Sequence, residues 1–216
     1  MKKLYSLMVA ALCGLLLVAC GKPVIHSQGV YMLIDTSGTY TKELDKAQQV
    51  INYTLAKMNP GDTFAVASIN SGSFSEKNIK AKVTFDDRPS VTNQQKRAFQ
   101  QSIQKFVDDA RPAAYTDITG GLLQAVEFLN EKHPGRKTIL IFSDLKEEIK
   151  KGYNRDVPLH LDGFNLVALN VTKLRSDNVD PNEYLGRLHQ WQQKVEDNGG
   201  SWRVVNDLER LEKILP

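Results

Sequence analysis

The feature that most constrains the fold is a set of short, uninterrupted apolar runs that end at polar turns. Residues 30–34 form one such run and stop at Asp35, and residues 139–142 form another, which is followed by Asp144. An uninterrupted run is typical of a strand that is buried on both faces of a sheet, because a strand with one solvent-exposed face alternates apolar and polar residues. Three further runs predict strands at 64–67, 166–169 and 202–205.

Segments with a helical period separate these runs. Leu44, Ala47, Ile51, Leu55 and Met58 recur at steps of three and four, as the apolar face of a helix requires. The same spacing predicts helices within residues 99–110, 118–129, 185–195 and 208–215. Strands that alternate with helices indicate an α/β domain of three layers, in which helices cover both faces of a doubly wound, mostly parallel six-stranded sheet.

One strand of this sheet has a different pattern. Apolar residues at 79, 81, 83 and 85 alternate with Lys80, Lys82 and Thr84. A period of two with outward lysines predicts an exposed edge strand, and the turn region at 71–73 lets it pair antiparallel with the preceding strand.

The first 19 residues have the pattern of an export signal. Lys2 and Lys3 precede an apolar run over residues 7–19, which is shorter than the about 20 residues that span a bilayer. Residues 17–20 resemble the lipobox of bacterial lipoproteins, in which the cysteine is acylated and becomes the new N-terminus. We therefore expect a signal peptide at 1–19, a lipid on Cys20, a tether to residue 28 and one domain over 29–216. An ordinary secretory signal and a signal anchor are the alternatives.

Processing of this kind restricts the chemistry of the mature protein. Cys13 would leave with the signal and Cys20 would carry lipid, which excludes disulfides, cysteine nucleophiles and thiolate metal sites. Loss of Lys2 and Lys3 lowers the formal charge from +3 to +1, and no dense basic run with interleaved aromatic residues follows. We expect no nucleic-acid partner.

The residue after the lipidated cysteine bears on location. In Gram-negative lipoproteins an Asp there commonly signals retention in the inner membrane, and Gly21 stands there instead. In a Gram-negative host we therefore expect the outer membrane, with the domain facing the periplasm.

Five oxygen-bearing side chains are candidates for a metal site. Asp35, Ser37 and Thr39 share the turn after the first strand, Thr116 precedes a predicted helix, and Asp144 follows a central strand. Hard cations such as Mg²⁺ prefer oxygen ligands, and open α/β sheets bind ligands beyond the carboxyl ends of their strands. Each motif alone is most often a helix cap or a turn.

Taken together, these residues resemble the metal-ion-dependent adhesion site of the von Willebrand factor A family. That family has an Asp-x-Ser-x-Ser turn after its first strand, a Thr before a later helix and an Asp after its fourth strand. The resemblance covers about residues 28–216. It implies that Ser37 and Thr39 bind Mg²⁺ or Mn²⁺ directly, that Thr116 joins or leaves the shell, and that Asp35 and Asp144 act through bound water. An acidic side chain of a protein partner would complete the octahedron.

The sequence departs from the family pattern at two positions. Thr39 replaces the commoner Ser and keeps the hydroxyl. Leu145 follows Asp144 where many members have Gly, which predicts a differently shaped loop.

Three neighbouring features are interpreted from the sequence alone. Asp117 has two open interpretations, a hydrogen bond to a metal ligand or a carboxylate at the positive end of the following helix. The charged run 147–151 is interpreted as a solvated face near the rim where a partner would land. Residues 145–163 are a long connection for two strands, and we expect a small lid or helix there.

The sequence therefore predicts an envelope lipoprotein that is not an enzyme and that binds a protein through its metal. One alternative is a structural scaffold with a non-functional metal site. The other is a haloacid-dehalogenase-like phosphatase with Asp35 as nucleophile and Asp144 as metal ligand. Such a phosphatase needs a second carboxylate two residues after the nucleophile, and this chain has Ser37 at that position. Serine-hydrolase elbows and glycine-rich phosphate loops are absent from the sequence.

Overall fold

The computed structural model describes residues 27–38, 40–209, 212 and 215. Its sheet contains six strands in the order β3-β2-β1-β4-β5-β6, and neighbours are parallel except for β2 with β3. The predicted α/β sheet with one antiparallel edge strand is thus confirmed. The strands are β1 (Gln28–Asp35), β2 (Thr63–Ile69), β3 (Ile79–Thr84), β4 (Arg136–Phe142), β5 (Phe164–Leu169) and β6 (Ser201–Val205).

Helices cover both faces of the sheet, as predicted. In the part of the chain that the structure describes, they are α1 (Leu44–Lys57), α2 (Pro89–Asp109), α3 (Ile118–Lys132) and α4 (Pro181–Glu196). Alternate residues of β1 point to opposite layers: Met32 packs with α1 and α2, and Leu33 packs with α3 and α4. Both side chains are almost completely buried, as expected in a run that contains no charged residue.

The long connection between β4 and β5 differs from the prediction. Residues 145–163 contain no helix. Glu148 instead forms an isolated antiparallel bridge with Thr116, and Gly152 takes a positive φ of 99° in a turn. Because the backbone of Glu148 bonds to a distant segment, it is not available for a local helical turn.

Some predictions fall on residues outside the described ranges. The signal, Cys20 and most of the tether lie within residues 1–26, and the predicted final helix at 208–215 is described only in part. Among the helices that are described, none has the length and apolar character needed to cross a membrane.

Candidate metal centre

The candidate site lies where the order of the strands reverses. β1 and β4 are neighbours in the sheet, and the chain leaves β1 for β2 on one side and reaches β4 on the other. Ligand crevices of open α/β sheets form at this point, beyond the carboxyl ends of the strands. Asp35 is the last residue of β1, and Asp144 follows β4 by two residues. The topology therefore brings both predicted carboxylates to one crevice.

Asp35 forms the floor of this site and is completely buried. One carboxylate oxygen, Oδ1, accepts a hydrogen bond from the amide of Ser37 at 2.8 Å, and Oδ2 accepts one from the Ser143 hydroxyl at 2.6 Å. Burial raises the pKa of Asp35, and the hydrogen bonds from Ser143 and Ser37 oppose that shift. Asp35 is therefore held in place by neutral donors.

Asp144 is the second buried carboxylate and is 4% exposed. Its Oδ1 accepts a hydrogen bond from the amide of Lys146 at 2.9 Å. Burial raises the pKa of Asp144 to about 6, and the negative charge of Asp35 adds to the rise. Two desolvated carboxylates that repel each other form a site where a divalent cation would be favourable.

A single cleft joins the predicted residues. It has a volume of about 300 Å³, and Ser37, Thr116 and Asp144 line it, while Asp35 lies beneath and contacts the backbone of Ser37. Thr39, the fifth predicted residue, lies outside the described residues. The structure thus brings four of the five predicted residues together. We call this space the metal cleft; its other lining residues are Gly38, Ala113, Ala114, Lys146, Glu148 and Leu174.

The backbone of Glu148 holds Thr116 at the metal cleft. The Thr116 amide donates to the Glu148 carbonyl at 2.9 Å, and the Glu148 amide donates back to the Thr116 carbonyl at 2.9 Å. Thr116 is 4% exposed. The connection that was expected to form a lid or helix therefore positions a candidate ligand through its main chain.

Asp117 caps α3 and forms a buried ion pair. Its Oδ1 accepts from the Gly120 amide at 2.8 Å, Oδ2 accepts from the Ser73 amide at 2.8 Å, and Arg155 donates to both oxygens at 2.9 and 2.7 Å. Burial would raise the pKa of Asp117, but these hydrogen bonds outweigh it and hold the pKa below its usual range. The observed contacts agree with the second interpretation of Asp117, a carboxylate at the start of the following helix.

Glu147 is not part of a solvated face, so that interpretation was wrong for this residue. Its Oε1 accepts from the Thr119 amide at 2.6 Å and its Oε2 from the Thr119 hydroxyl at 3.0 Å, in the first turn of α3. Lys194 on α4 lies 3.7 Å from Oε2. A carboxylate at a helix N-terminus satisfies amides that have no partner within the helix. The contact spans 28 residues, and no local pattern in the sequence indicates it.

Leu145 occupies the position where many family members have Gly. Its φ is 64°, in the left-handed region that favours glycine, and its side chain is 1% exposed. The amide donates to the Ser143 hydroxyl at 3.0 Å, and the carbonyl accepts from Trp191 Nε1 at 2.9 Å. The loop keeps a glycine-like backbone conformation and also buries a large side chain.

Arg187 on α4 fixes the main chain of Asp144, and the sequence did not indicate this role. Its Nε donates to the Asp144 carbonyl at 2.9 Å, and the rest of the guanidinium donates to both oxygens of Asp177 at 3.2 and 2.8 Å. The side chains of Arg187 and Asp177 are 12% and 0% exposed. Because both partners are distant from Asp144 in sequence, only the fold brings them together.

The chemistry of the donors fits a hard cation. Within the described ranges, no three or more His, Cys, Asp or Glu side chains cluster as a metal-binding group. Three of the predicted ligands, Asp144, Ser37 and Thr116, line the metal cleft and offer only oxygen donors, and the amine of Lys146, which also lines it, is paired with Glu148 at 2.6 Å. A set made only of oxygen donors suits Mg²⁺ or Mn²⁺ and disfavours thiophilic metals.

The fold of this chain is similar to that of several solved structures. No protein-family model and no curated protein matches the chain. Similar structures include a von Willebrand factor type A protein from Catenulispora acidiphila, with 15% identity, a TM-score of 0.51 and 87% of this chain covered. The pilus adhesin SpaC from Lactobacillus rhamnosus GG has 11% identity, a TM-score of 0.55 and 88% coverage. Proximal thread matrix protein 1 from the mussel byssus has 15% identity, a TM-score of 0.51 and 87% coverage.

The likeness extends over most of this chain but only over part of each similar protein. The matched region is 40% of the Catenulispora chain, 29% of the SpaC chain and 46% of the mussel chain. The strand order, the two helical layers and these similarities agree with the fold expected from the sequence. The chain therefore has the fold of a von Willebrand factor A domain.

Proposed function

We propose that this domain binds one Mg²⁺ or Mn²⁺ ion at Asp35, Ser37, Thr39, Thr116 and Asp144, and grips a protein partner through that ion. The observation that carries the proposal is the meeting of Ser37, Thr116 and Asp144 in one cleft above Asp35, at the reversal of strand order. The bound ion would supply an electrophilic centre for an acidic side chain of the partner.

The residues around the metal cleft hold the proposed ligands in place. Ser143 orients the Asp35 carboxylate, Arg187 binds the carbonyl of Asp144, and Glu148 pairs with the backbone of Thr116. A site held this rigidly loses little entropy when it binds an ion. The hydroxyls of Ser37 and Thr39 would contact the ion directly, and the two buried carboxylates would balance its charge.

Exposed aromatic side chains close to Asp117, the residue after Thr116, support a protein as the partner. Phe74, Tyr115 and Tyr153 are 49%, 38% and 46% exposed. Tyr115 directly precedes Thr116. Phe74 follows Ser73, whose amide donates to Asp117. The ring centroid of Tyr153 lies 5.2 Å from the Arg155 guanidinium. Aromatic residues are enriched in the cores of protein–protein interfaces.

We further propose that the domain is anchored in the cell envelope by a lipid on Cys20. The tether in front of β1, residues 21–27, reaches at most about 25 Å when fully extended, so the domain would work close to its membrane. Gly21 supports the outer membrane, facing the periplasm, in a Gram-negative host.

The burial of Asp35 supports a binding function over phosphatase chemistry. A nucleophilic carboxylate must reach its substrate, whereas Asp35 is completely buried and both of its oxygens accept hydrogen bonds within the protein. Ser37 also stands where the phosphatase would need its general acid.

Capture of envelope proteins tests the proposed function. Full-length protein in detergent is immobilised and exposed to an envelope extract with Mg²⁺, and again with EDTA. In Mg²⁺ we expect the wild type and the exposed-site control Asp45→Asn to retain a partner. Asp144→Asn, and the wild type in EDTA, should not retain it. The same proteins captured under all four conditions would support the scaffold alternative, and phosphatase turnover that Asp35→Ala abolishes would support the enzyme.

A further inference from the structure

A second cleft, of about 410 Å³, opens beside the metal cleft and carries three cationic side chains. Lys80 comes from β3, Lys105 from α2, and Arg111 from the connection between α2 and α3. We call it the basic cleft. Asp109 also lines it, so cations outnumber carboxylates there by three to one.

The two clefts share a wall. Ala113 lines both of them, and its amide donates to the Thr36 carbonyl at 2.7 Å. Thr36 lines the basic cleft, and the next residue, Ser37, lines the metal cleft and forms a bridge with Ala113. One extended segment of a partner could therefore enter both clefts.

The three cations of the basic cleft are available to a ligand. Among the residues that the structure describes, none of the three forms a salt bridge. Lys105 and Arg111 are exposed, whereas Lys80 is half-buried with its Nζ 5.6 Å from the centroid of the Phe106 ring. A cleft lined by charges of one sign concentrates ligands of the opposite charge.

From this arrangement we infer that the basic cleft binds a second acidic side chain of the same partner whose first carboxylate reaches the metal. The partner would present an extended acidic segment, with one carboxylate at the metal cleft and another among Lys80, Lys105 and Arg111. This inference rests on the proposed function, and it adds the chemical character of the partner. The shared wall at Ala113 favours an acidic protein segment, because a separate anion would not need to be continuous with the metal cleft.

Binding of labelled hexaglutamate tests this inference. Fluorescence anisotropy follows the peptide on full-length protein in detergent, with Mg²⁺ or EDTA, and labelled hexaglutamine serves as the uncharged control. The variant Lys105→Gln/Arg111→Gln removes two exposed cations of the basic cleft. The matched control Lys57→Gln/Arg97→Gln removes one exposed Lys and one exposed Arg that lie outside both clefts.

We expect hexaglutamate to bind in Mg²⁺ and hexaglutamine not to bind. The cleft variant should weaken the Kd by about twofold to thirtyfold, the range that two exposed charge pairs supply, whereas the control variant should match the wild type. The remaining binding of the cleft variant should still be lost in EDTA. Because exposed pairs are screened by salt, added NaCl should reduce the difference between the cleft variant and the wild type.

The outcomes separate this inference from the proposed function. Magnesium-dependent binding that is equal in the cleft and control variants would overturn the basic cleft as a subsite and leave the proposed function intact. Binding that the cleft variant weakens but EDTA does not change would support the basic cleft and contradict the metal. No binding of hexaglutamate in Mg²⁺ would overturn the inference, whereas the proposed function is decided by the Mg²⁺-dependent capture of a partner.

Discussion

Leu145 combines an unfavourable backbone conformation with a well-buried side chain. A left-handed conformation costs a residue with a Cβ about 1–2 kcal/mol, whereas truncation of a buried Leu to Ala costs about 2–5 kcal/mol. Since its φ is 64° and its side chain is 1% exposed, both contributions apply to Leu145. The second contribution is larger, which explains why this position tolerates a residue other than Gly.

These two contributions predict an unusual order of stability. We expect Leu145→Gly to lower the free energy of unfolding, and Leu145→Ala to lower it by about 1 kcal/mol more, because Ala loses the burial and keeps the unfavourable conformation. Urea unfolding of the wild type and both variants measures this order. A Leu145→Ala protein that is more stable than Leu145→Gly would show that the backbone conformation carries no cost.

Residues next to the ends of predicted strands and helices could be located from the sequence. Asp35 and Asp144 follow apolar runs, and Thr116 precedes a helical pattern, so parallel strand order alone brings them towards one edge. Arg187 and Glu147 could not be found in this way. Their contacts join segments 43 and 28 residues apart, and nothing local in the sequence encodes such a pairing.

At the scale of elements, the start of α3 depends on a close approach between Asp117 and Gly120. A Cβ at Gly120 would overlap the carboxylate of Asp117, which accepts the Gly120 amide at 2.8 Å. Gly186 on α4 offers a matched comparison, because a Cβ there would meet no atom within 4 Å. Both glycines lie inside helices, where Gly is about 1 kcal/mol less favourable than Ala.

The two glycines therefore predict opposite effects of the same substitution. Gly186→Ala should raise the free energy of unfolding by up to about 1 kcal/mol, whereas Gly120→Ala should lower it, because displacement of the Asp117 cap outweighs helix propensity. Chemical denaturation of both variants checks this. Equal stabilisation by both substitutions would show that the Asp117 cap is not important.

Element types could be predicted more fully than the connections between them. The sheet and its antiparallel edge follow from patterns within single strands, since burial on both faces or on one face determines which positions are apolar. The connection 145–163 has no such pattern. Its structure depends on bonds to other segments: Glu148 to Thr116, and Arg155 to Asp117.

At the scale of the whole molecule, the proposed lipid on Cys20 would place the metal cleft near a membrane surface. Cells fed an alkyne-labelled palmitate should incorporate the label into the wild-type protein and not into Cys20→Ser. The wild type should also sediment with membranes. Label in the Cys20→Ser protein would show that the lipid, if present, is attached elsewhere.

The central claim is that the metal cleft binds a divalent cation, and calorimetric titration of the full-length protein with Mg²⁺, and then Mn²⁺, tests it most directly. Asp144→Asn keeps an acceptor for the Lys146 amide and removes a buried charge, so its melting temperature in EDTA should not fall. With folding checked in this way, we predict saturable binding of one ion per chain for the wild type and Asp45→Asn. Asp144→Asn and Ser37→Ala should not bind the ion. Undetectable binding to the wild type, or equal binding to all four proteins, would contradict the account.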